Sequence, residues 1–333
     1  MNKMVKRGLF LGLIVLLVSA VTIYYTIDLK ALASLDHFKL SSLILAALAL
    51  TVGLFFDGRR LQRLIKMVGY ELSLQAVLRV IFSNYFMALL TPGASGGAVA
   101  QVLILKSYGI PLMEATPIVL VRTIFSILFL IVMLPLVVWQ TDVTIPYISQ
   151  GMLLTLSFLA VFSLLLVMYL LQTKFVRSLI YQLGKRLHTT SPKSLLVKLD
   201  RLNEGLGLLY KHPRDSFLVF IESGLSLLAL YCIGPALMFA FTGDLPLVTL
   251  LGYMIVLNLI LYFAPTPGGT GVAEGLFIVL FGGFVPAGTI GLIAVAWRLV
   301  AEYIPFLIGM YAVLTLYGAQ FIAKASKDTE ANS

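Results

Sequence analysis

The sequence has few charged residues, one cysteine and three histidines. Only 12% of its 333 residues are charged, half the share in a soluble domain of about 25%. Because 60% of the residues are hydrophobic, the composition excludes a soluble globular protein and indicates that most of the chain lies in a membrane. The single cysteine, Cys232, excludes an internal disulfide, and the scattered histidines form no metal-binding motif, so we expect no cofactor.

Apolar runs long enough to cross a bilayer, about 20 residues each, occur six times along the chain. They are Gly8–Ile27, Leu40–Asp57, Leu112–Trp139, Gly151–Leu171, Phe217–Thr242 and Pro286–Gly318. The first run follows three basic residues and is either a cleaved secretory signal or a signal anchor. Its apolar core is too long for a typical signal peptide, so we expect an anchor.

Two further apolar stretches are interrupted by proline and glycine. Residues 74–105 contain TPGASGG at 91–97, and residues 247–281 contain PTPGGTG at 265–271. Proline removes a backbone donor and glycine favours non-helical backbone, so each stretch is predicted to form two half-helices joined by an unwound turn. At membrane depth such a turn must be covered by protein or line a wet cavity. We therefore predict an all-α polytopic membrane protein with about six spans and two re-entrant helical hairpins.

Lysine and arginine are distributed unevenly between the predicted loops. If the N-terminus is cytoplasmic, the basic cluster at 59–66 and the basic loop 172–214 lie inside, and the outer loops carry only Lys30 and Lys39. Leucines at helical spacing between 195 and 209 predict an amphipathic helix, which either lies on the anionic inner leaflet or covers the end of the bundle. The loop lacks the interleaved aromatics of nucleic-acid-binding segments, so we expect no nucleic-acid partner.

The two interrupted stretches resemble each other. Asn84 precedes Thr91 by seven residues and Asn258 precedes Thr266 by eight, while Arg122 and Arg298 follow those threonines by 31 and 32 residues. Three crossings separate the stretches, so the halves, about 74–139 and 247–318, are predicted to form an inverted repeat, as in transporters whose broken helices build the substrate site. The alternative is that Pro-Gly kinks are common and the match is chance.

Five charged side chains fall within predicted spans or hairpins, where each costs about 2.5–3.5 kcal/mol. They are Arg122, Glu222, Glu274, Arg298 and Glu302. Glu302 follows Arg298 by four residues and should share its helix face as an ion pair. Glu274 opens a half-helix, where it either pairs with an arginine or caps free amides. Alternatively, Arg298, Glu302 and Glu274 only neutralise one another's charges so that the protein can insert into the membrane.

The planar guanidinium group of arginine and the free backbone amides at half-helix N-termini both bind phosphate well. This favours an anionic lipid headgroup as the ligand. In this hypothesis the arginines hold the phosphate, the glutamates orient them or exchange protons, the asparagines brace the hairpins, and the glycines let backbone approach the ligand. The candidate binding residues are Arg122, Arg298, Glu274, Glu302, Asn84, Asn258, Pro92, Gly96, Gly97, Pro267, Gly268, Gly269, Gly271 and Tyr303.

Two patterns resemble a known family over nearly the whole chain. The first is Asn84, Pro92, Gly96-Gly97 and Arg122; the second is Pro265-x-Pro267-Gly268-Gly269-x-Gly271-x-x-Glu274, followed by Arg298-x4-Tyr303-x-Pro305-x3-Gly309. The sequence thereby resembles the flippase-like membrane domain of lysylphosphatidylglycerol synthases and related stand-alone proteins of bacteria and archaea. The resemblance implies a multi-pass, lipid-translocating protein of the prokaryotic cytoplasmic membrane. The distribution of lysine and arginine predicts that both termini lie in the cytoplasm.

The resemblance does not carry over the aminoacyl-transferase activity of the bifunctional members. We expect residues 1–318 to form one membrane domain and 319–333 a short cytoplasmic tail with no room for that second domain. A flippase or transporter of anionic lipids is the leading hypothesis, gradient-driven or passive because no Walker motif is present. The alternatives are a lipid-modifying transferase with Glu274 as general base, or a non-transporting partner of a lipid-modifying enzyme. A homo-oligomer is compatible with the sequence.

Overall fold

The computed structural model describes residues 39–91, 93–140, 149–171, 210–286 and 288–316, with short pieces between 173 and 207. Within these residues the chain is helical and has no strand. The predicted span Gly8–Ile27, Pro92, most of the loop leucines and the tail 319–333 lie outside the described residues. The predicted all-α membrane architecture is therefore confirmed for the described part of the chain.

Ten α-helices follow one another along the described chain. They are α1 (Leu40–Met67), α2 (Leu74–Leu90), α3 (Ser95–Ser107), α4 (Leu112–Gln140), α5 (Gln150–Leu171), α6 (Pro213–Tyr231), α7 (Ile233–Met238), α8 (Leu247–Leu261), α9 (Val272–Phe281) and α10 (Ile290–Arg298). A π-helical turn, Leu299–Tyr303, continues α10 into residues 304–316.

Four helical segments in the described chain are both long and apolar enough to cross a bilayer. They are Leu40–Met67, Leu112–Trp139, Pro213–Met238 and Ile290–Leu316. Helix α5 occupies the position of a fifth predicted span, Gly151–Leu171. The count of six full spans stays a prediction.

Helix α1 is longer than the predicted span Leu40–Asp57. The helix continues through Asp57 and Arg60 because these two side chains pair with each other, and the apolar residues Leu61, Leu64 and Ile65 extend its buried face. Arg60, expected in a cytoplasmic basic cluster, is buried instead. Gly69 adopts a φ of +89° just after the helix, and the Tyr70 N–H bonds to the Ile65 carbonyl, which is a glycine-based helix stop.

Both interrupted stretches divide into two helices at their glycine-rich turns, as predicted. The turn between α2 and α3 has positive φ at Gly93 and Ala94, and the turn between α8 and α9 has positive φ at Gly268, Gly269 and Gly271. Glycine tolerates this backbone region without a Cβ clash, which explains why the breaks occur where glycines cluster. Whether each hairpin leaves the membrane on the side it entered stays a prediction.

The buried side chains form two main hydrophobic clusters, one around each broken stretch. The first includes Val77 and Ile81 of α2 and Leu105 of α3. The second includes Met254 of α8 and Phe277 of α9, with residues of α6, α7 and α10. Helices α1 and α4 contribute to both clusters, so these two long helices join the halves of the bundle.

Candidate functional site

A buried carboxylate, Asp57, lies between two arginines that come from different helices. Arg60, one turn later on α1, donates from Nε to Asp57 Oδ1 at 2.6 Å. Arg122 on α4 donates from Nε and Nη2 to Oδ1 at 3.1 and 2.8 Å, and from Nη2 to Oδ2 at 2.6 Å. Such bidentate arginine–carboxylate pairs are among the strongest hydrogen bonds in proteins. We call Asp57, Arg60 and Arg122 the Asp57 cluster.

Neutral polar side chains extend the Asp57 cluster toward the first broken stretch. Arg122 donates from Nη1 to Gln101 Oε1 at 2.9 Å, and Gln101 donates in turn to Asn84 Oδ1 at 2.8 Å. Gly97 permits this chain, because a Cβ there would overlap Asn84 Oδ1. Asn84 therefore connects α2 to α3 through Gln101.

The second cluster surrounds Arg298, whose side chain is 1% exposed. Its Nε lies 3.0 Å from Glu274 Oε1, its Nη1 pairs with Glu302 Oε1, and its Nη2 donates to the Gly268 carbonyl at 3.0 Å. The expected Arg298–Glu302 pair is thus present. We call Arg298, Glu274 and Glu302 the Arg298 cluster.

Glu274 performs both tasks that the sequence left open. Its Oε1 faces Arg298, while its Oε2 accepts the Gly271 N–H at 2.7 Å and so caps the start of α9. Gly271 reaches this position with a φ of +84°. The same carboxylate therefore anchors both the turn and the arginine.

The helix that carries Arg298 and Glu302 widens between them. Residues Leu299–Tyr303 form a π-helical turn, a feature found often at functional sites. The Tyr303 ring centroid lies 5.7 Å from Arg298 Cζ, within the range of a cation–π interaction. Tyr303 was predicted as a site residue and here contacts the Arg298 cluster.

A third charged group lies between α1 and α6. Arg63 donates to both oxygens of Glu222 at 3.1 and 2.8 Å and to Asp215 Oδ1 at 3.1 Å. Arg63 is partly exposed, unlike the arginines of the other two clusters. Glu222, predicted as an intramembrane charge, thus has its partner at the end of α1.

A cavity of about 290 Å³ lies between the two glycine-rich turns. Both asparagines of the predicted repeat line it, and so do Gly93, Gly268 and Gly269. Aromatic side chains complete much of the wall, namely Tyr85, Tyr231, Tyr262 and Trp297. Among the described residues that line the cavity, Glu302 is the one with a formal charge.

Tyr85 lies between the two main clusters at the cavity wall. It interacts electrostatically with Asp57, Arg122 and Arg60 of one cluster and with Glu302 of the other. The hairpins also meet directly, since Leu89 at the end of α2 packs against Gly268 so closely that a Cβ on the glycine would overlap it. The two turns, the cavity and the two clusters therefore form one continuous region.

The predicted site residues fall into three groups according to where they lie relative to the cavity. Asn84, Asn258, Gly268, Gly269 and Glu302 line the cavity. Five predicted residues do not line the cavity but belong to the charged clusters or to the glycine-rich turns: Arg122, Arg298, Glu274, Gly97 and Gly271. Gly96 donates its N–H to Thr91, Pro267 accepts from Thr270, and Pro92 lies outside the described residues.

Sequence reasoning missed Asp57, Arg60 and Gln101. The i, i+3 spacing of Asp57 and Arg60 within a continuing apolar helical pattern was the available signal, whereas nothing local marks Gln101. The Asn258 side chain donates to the Met254 carbonyl of its own helix, and its predicted bracing role stays a prediction. Among the described residues, no group of three His, Cys, Asp or Glu side chains has a geometry that would hold a metal ion.

Comparison with known proteins gives two matches. The family model described as the lysylphosphatidylglycerol synthase TM region matches residues 9–309. The chain is also 24% identical, over 268 residues, to a protein of Archaeoglobus fulgidus described as a UPF0104 membrane protein, an alignment that covers 76% of this chain and 80% of that relative.

Proposed function

The chain belongs to the lysylphosphatidylglycerol synthase TM region family, and from this premise we propose that it is a lipid flippase or transporter. Its cargo in this proposal is a lipid with an anionic headgroup, a phospholipid or a polyprenyl phosphate, which it moves across the cytoplasmic membrane. The observation that carries the proposal is the cavity of about 290 Å³ between two unwound turns, whose wall is connected to the two charged clusters through Asn84 and Glu302.

The cavity has the size and lining that a lipid headgroup needs. Its volume is close to the lower end of ligand pockets, about 300 Å³, so it suits a headgroup whose acyl chains stay in the surrounding lipid. Asparagine amides and tyrosine hydroxyls in the wall supply hydrogen-bond donors. Glycine at both turns lets backbone approach the ligand closely.

The arginines act in this proposal through an exchange of partners. In the described state Arg122 and Arg298 are bound to carboxylates, and both are buried. Each guanidinium reaches a phosphate when the phosphate takes the place of a carboxylate oxygen or when the hairpins shift. The ion pairs keep these charges neutralised in a low-dielectric region until the anionic headgroup arrives.

Movement of the headgroup requires that the cavity open to the two sides in turn. The recurrence of Asn, Thr-Pro-Gly and Arg in both halves supports an inverted repeat of re-entrant hairpins, with the termini in the cytoplasm. In that arrangement the two hairpins are the moving elements, and their contact at Leu89 and Gly268 is the point about which the cavity opens.

The experiment reconstitutes the purified protein in liposomes that carry fluorescent anionic, zwitterionic or polyprenyl-phosphate lipids, and follows how fast the inner-leaflet label becomes accessible outside. We expect faster movement of an anionic class than in empty liposomes, and at least a tenfold loss of the protein-dependent rate in Arg298→Ala and Glu274→Gln. Glu71→Gln is the matched control, because the Glu71 carboxylate is exposed on the surface.

Two results would contradict the proposal. Equal rates in the wild type, Arg298→Ala and Glu274→Gln would remove the charged site from the mechanism. Covalent change of the lipid, detected by chromatography of the extracted lipids, would favour a lipid-modifying transferase instead.

A further inference from the structure

The Arg298 cluster carries more negative than positive charge. One guanidinium contacts two carboxylates, Glu274 and Glu302, and all three groups are largely shielded from solvent. An excess carboxylate in a region of low dielectric is relieved most directly by binding a proton. The Asp57 cluster is the opposite case, since two arginines share one carboxylate and no proton is needed.

The geometry assigns the proton to Glu302 rather than to Glu274. Glu274 is held at both oxygens, since Oε1 lies 3.0 Å from Arg298 Nε and Oε2 accepts the Gly271 N–H at 2.7 Å. Glu302 pairs with Arg298 through Oε1. Its side chain is 24% exposed and lines the cavity, so water in the cavity reaches the carboxyl.

Arg298 is the cation that contacts Glu302 directly. The titratable and charged groups that face this region come from each neighbouring element: Arg298 and Tyr303 from its own helix, Glu274 from α9, Tyr85 from α2, Tyr231 from α6, Tyr262 after α8, and the Asp57 cluster beyond Tyr85. The Glu274 carboxylate contacts the same guanidinium from α9, so the two acids share one cation.

We propose that Glu302 is a proton-binding site and that its protonation is coupled to the binding of an anionic headgroup at Arg298. A phosphate that approaches Arg298 Nη1 competes with the ionised Glu302 carboxylate for the same N–H group. When Glu302 takes up a proton from solution by way of cavity water, it releases Arg298, and Glu274 keeps the guanidinium in place. The inference rests on the proposed function for its ligand, whereas the proton site itself depends only on the geometry of the Arg298 cluster.

The coupling is measured by calorimetry of a short-chain phosphatidylglycerol binding to the purified protein, in buffers of equal pH but different ionisation enthalpy. For the wild type we expect uptake of about one proton per lipid, and an affinity that rises about tenfold for each unit fall in pH where Glu302 is ionised. Glu302→Gln resembles the protonated state, so it should bind the lipid without proton uptake and with little pH dependence. Glu222→Gln, a change in the separate Arg63 group, is the control and should take up the proton as the wild type does.

A second measurement tests the proton site without any lipid. Infrared spectra recorded across a pH titration should show the carbonyl band of a protonated carboxylic acid that is missing from Glu302→Gln and retained in Glu222→Gln. Lipid binding without proton uptake, or proton uptake that persists in Glu302→Gln, would overturn the coupling and leave the flippase proposal standing. A Glu302 infrared band in a protein that binds and moves no lipid would sink the flippase proposal and keep the proton site.

Discussion

At the scale of single residues, Asp57 is a buried carboxylate that pairs with two arginines from different helices. Its two oxygens neutralise guanidinium groups from α1 and α4, and Arg60 also donates to Ser126 Oγ at 2.8 Å. Removal of the carboxylate leaves two buried positive charges that repel each other and have lost their counter-ion. The ion pairing between α1 and α4 therefore depends on one carboxylate.

We predict that Asp57→Asn lowers the free energy of unfolding by about 3–5 kcal/mol, the cost of leaving a buried charge without its counter-ion. Asparagine has the same shape, so the loss arises from charge rather than from packing. Unfolding in mixed detergent micelles, followed by circular dichroism, measures it. Glu71→Gln is the control, because its pair with Lys66 is exposed and such pairs contribute about 0–1 kcal/mol. Equal stability of Asp57→Asn and the wild type would mean that the two arginines find other partners.

The two clusters differ in whether their ion pairs could be predicted from the sequence. Arg298 and Glu302 lie one helical turn apart, so the spacing alone predicted their contact. Arg122 and Asp57 are separated by 65 positions, and only the packing of α1 against α4 brings them together. Partners that are distant in the chain follow from tertiary structure, which hydropathy and periodicity do not encode.

At the scale of helices, glycine permits one especially close crossing. Gly309, in the segment Ile290–Leu316, packs against α2 so closely that a Cβ would overlap the Phe82 carbonyl. Small residues at helix crossings in membranes allow such backbone approach. The crossing holds α2 against the helix that carries Arg298.

We predict that Gly309→Ala destabilises the protein by about 1–3 kcal/mol, since the obstacle is backbone and has to move. Gly275→Ala is the matched control: a methyl group on this helical glycine would meet no neighbouring atom within 4 Å, and alanine there should add about 0.5–1 kcal/mol of stability. The same unfolding assay compares the two variants, and a neutral Gly309→Ala would indicate that the helices separate at little cost.

The start of α3 supplies a second prediction at this scale. The Thr91 hydroxyl accepts the Gly96 N–H at 2.8 Å and so satisfies one of the free amides at the helix start. Thr91→Val keeps the shape and removes the acceptor, so we expect a loss of about 0.5–2 kcal/mol. Thr116→Val, where the hydroxyl bonds to a carbonyl of its own helix, should stay within about 0.5 kcal/mol of the wild type. A larger effect at Thr116 than at Thr91 would contradict this account of the turn.

Sequence patterns predicted where helices break better than where they end. The turns at 91–97 and 265–271 were recognisable because proline and glycine act locally. The end of α1 was placed at Asp57, ten residues early, because a charge normally marks the membrane boundary. Here Asp57 is neutralised by Arg60 and Arg122, so the helix continues to its glycine stop.

At the scale of the whole molecule, the bundle consists of two hydrophobic clusters joined by α1 and α4. The Asp57 cluster lies on these two helices, whereas the Arg298 cluster lies on α9, α10 and the π-helical turn, with Glu302 at the cavity wall. Which face of this bundle meets the cytoplasm stays a prediction from the distribution of lysine and arginine. Two exposed loop positions, Glu71 and Asp244, test it from opposite ends.

We predict that Glu71 is cytoplasmic and Asp244 is external. In a Cys232→Ser background, which has no other thiol, Asp244→Cys should react with a membrane-impermeant maleimide in intact cells, and Glu71→Cys only after the cells are permeabilised. Detection of the label on the purified protein measures both. The reverse pattern would invert the orientation, and labelling of both positions in intact cells would contradict the predicted number of crossings between them.

If the protein moves an anionic lipid as proposed, the opposite net charges of the two clusters determine how that movement responds to membrane voltage. An elementary charge that crosses the bilayer exchanges about 2.3 kcal/mol with a potential of 100 mV. The Asp57 cluster has one excess positive charge and the Arg298 cluster one excess negative charge, so their contributions cancel when both cross the field together. A monoanionic headgroup accompanied by one proton is also neutral. In the proposed transport cycle the lipid and pH gradients then set the direction of flux, and we expect an electrode across the membrane to record no current from it.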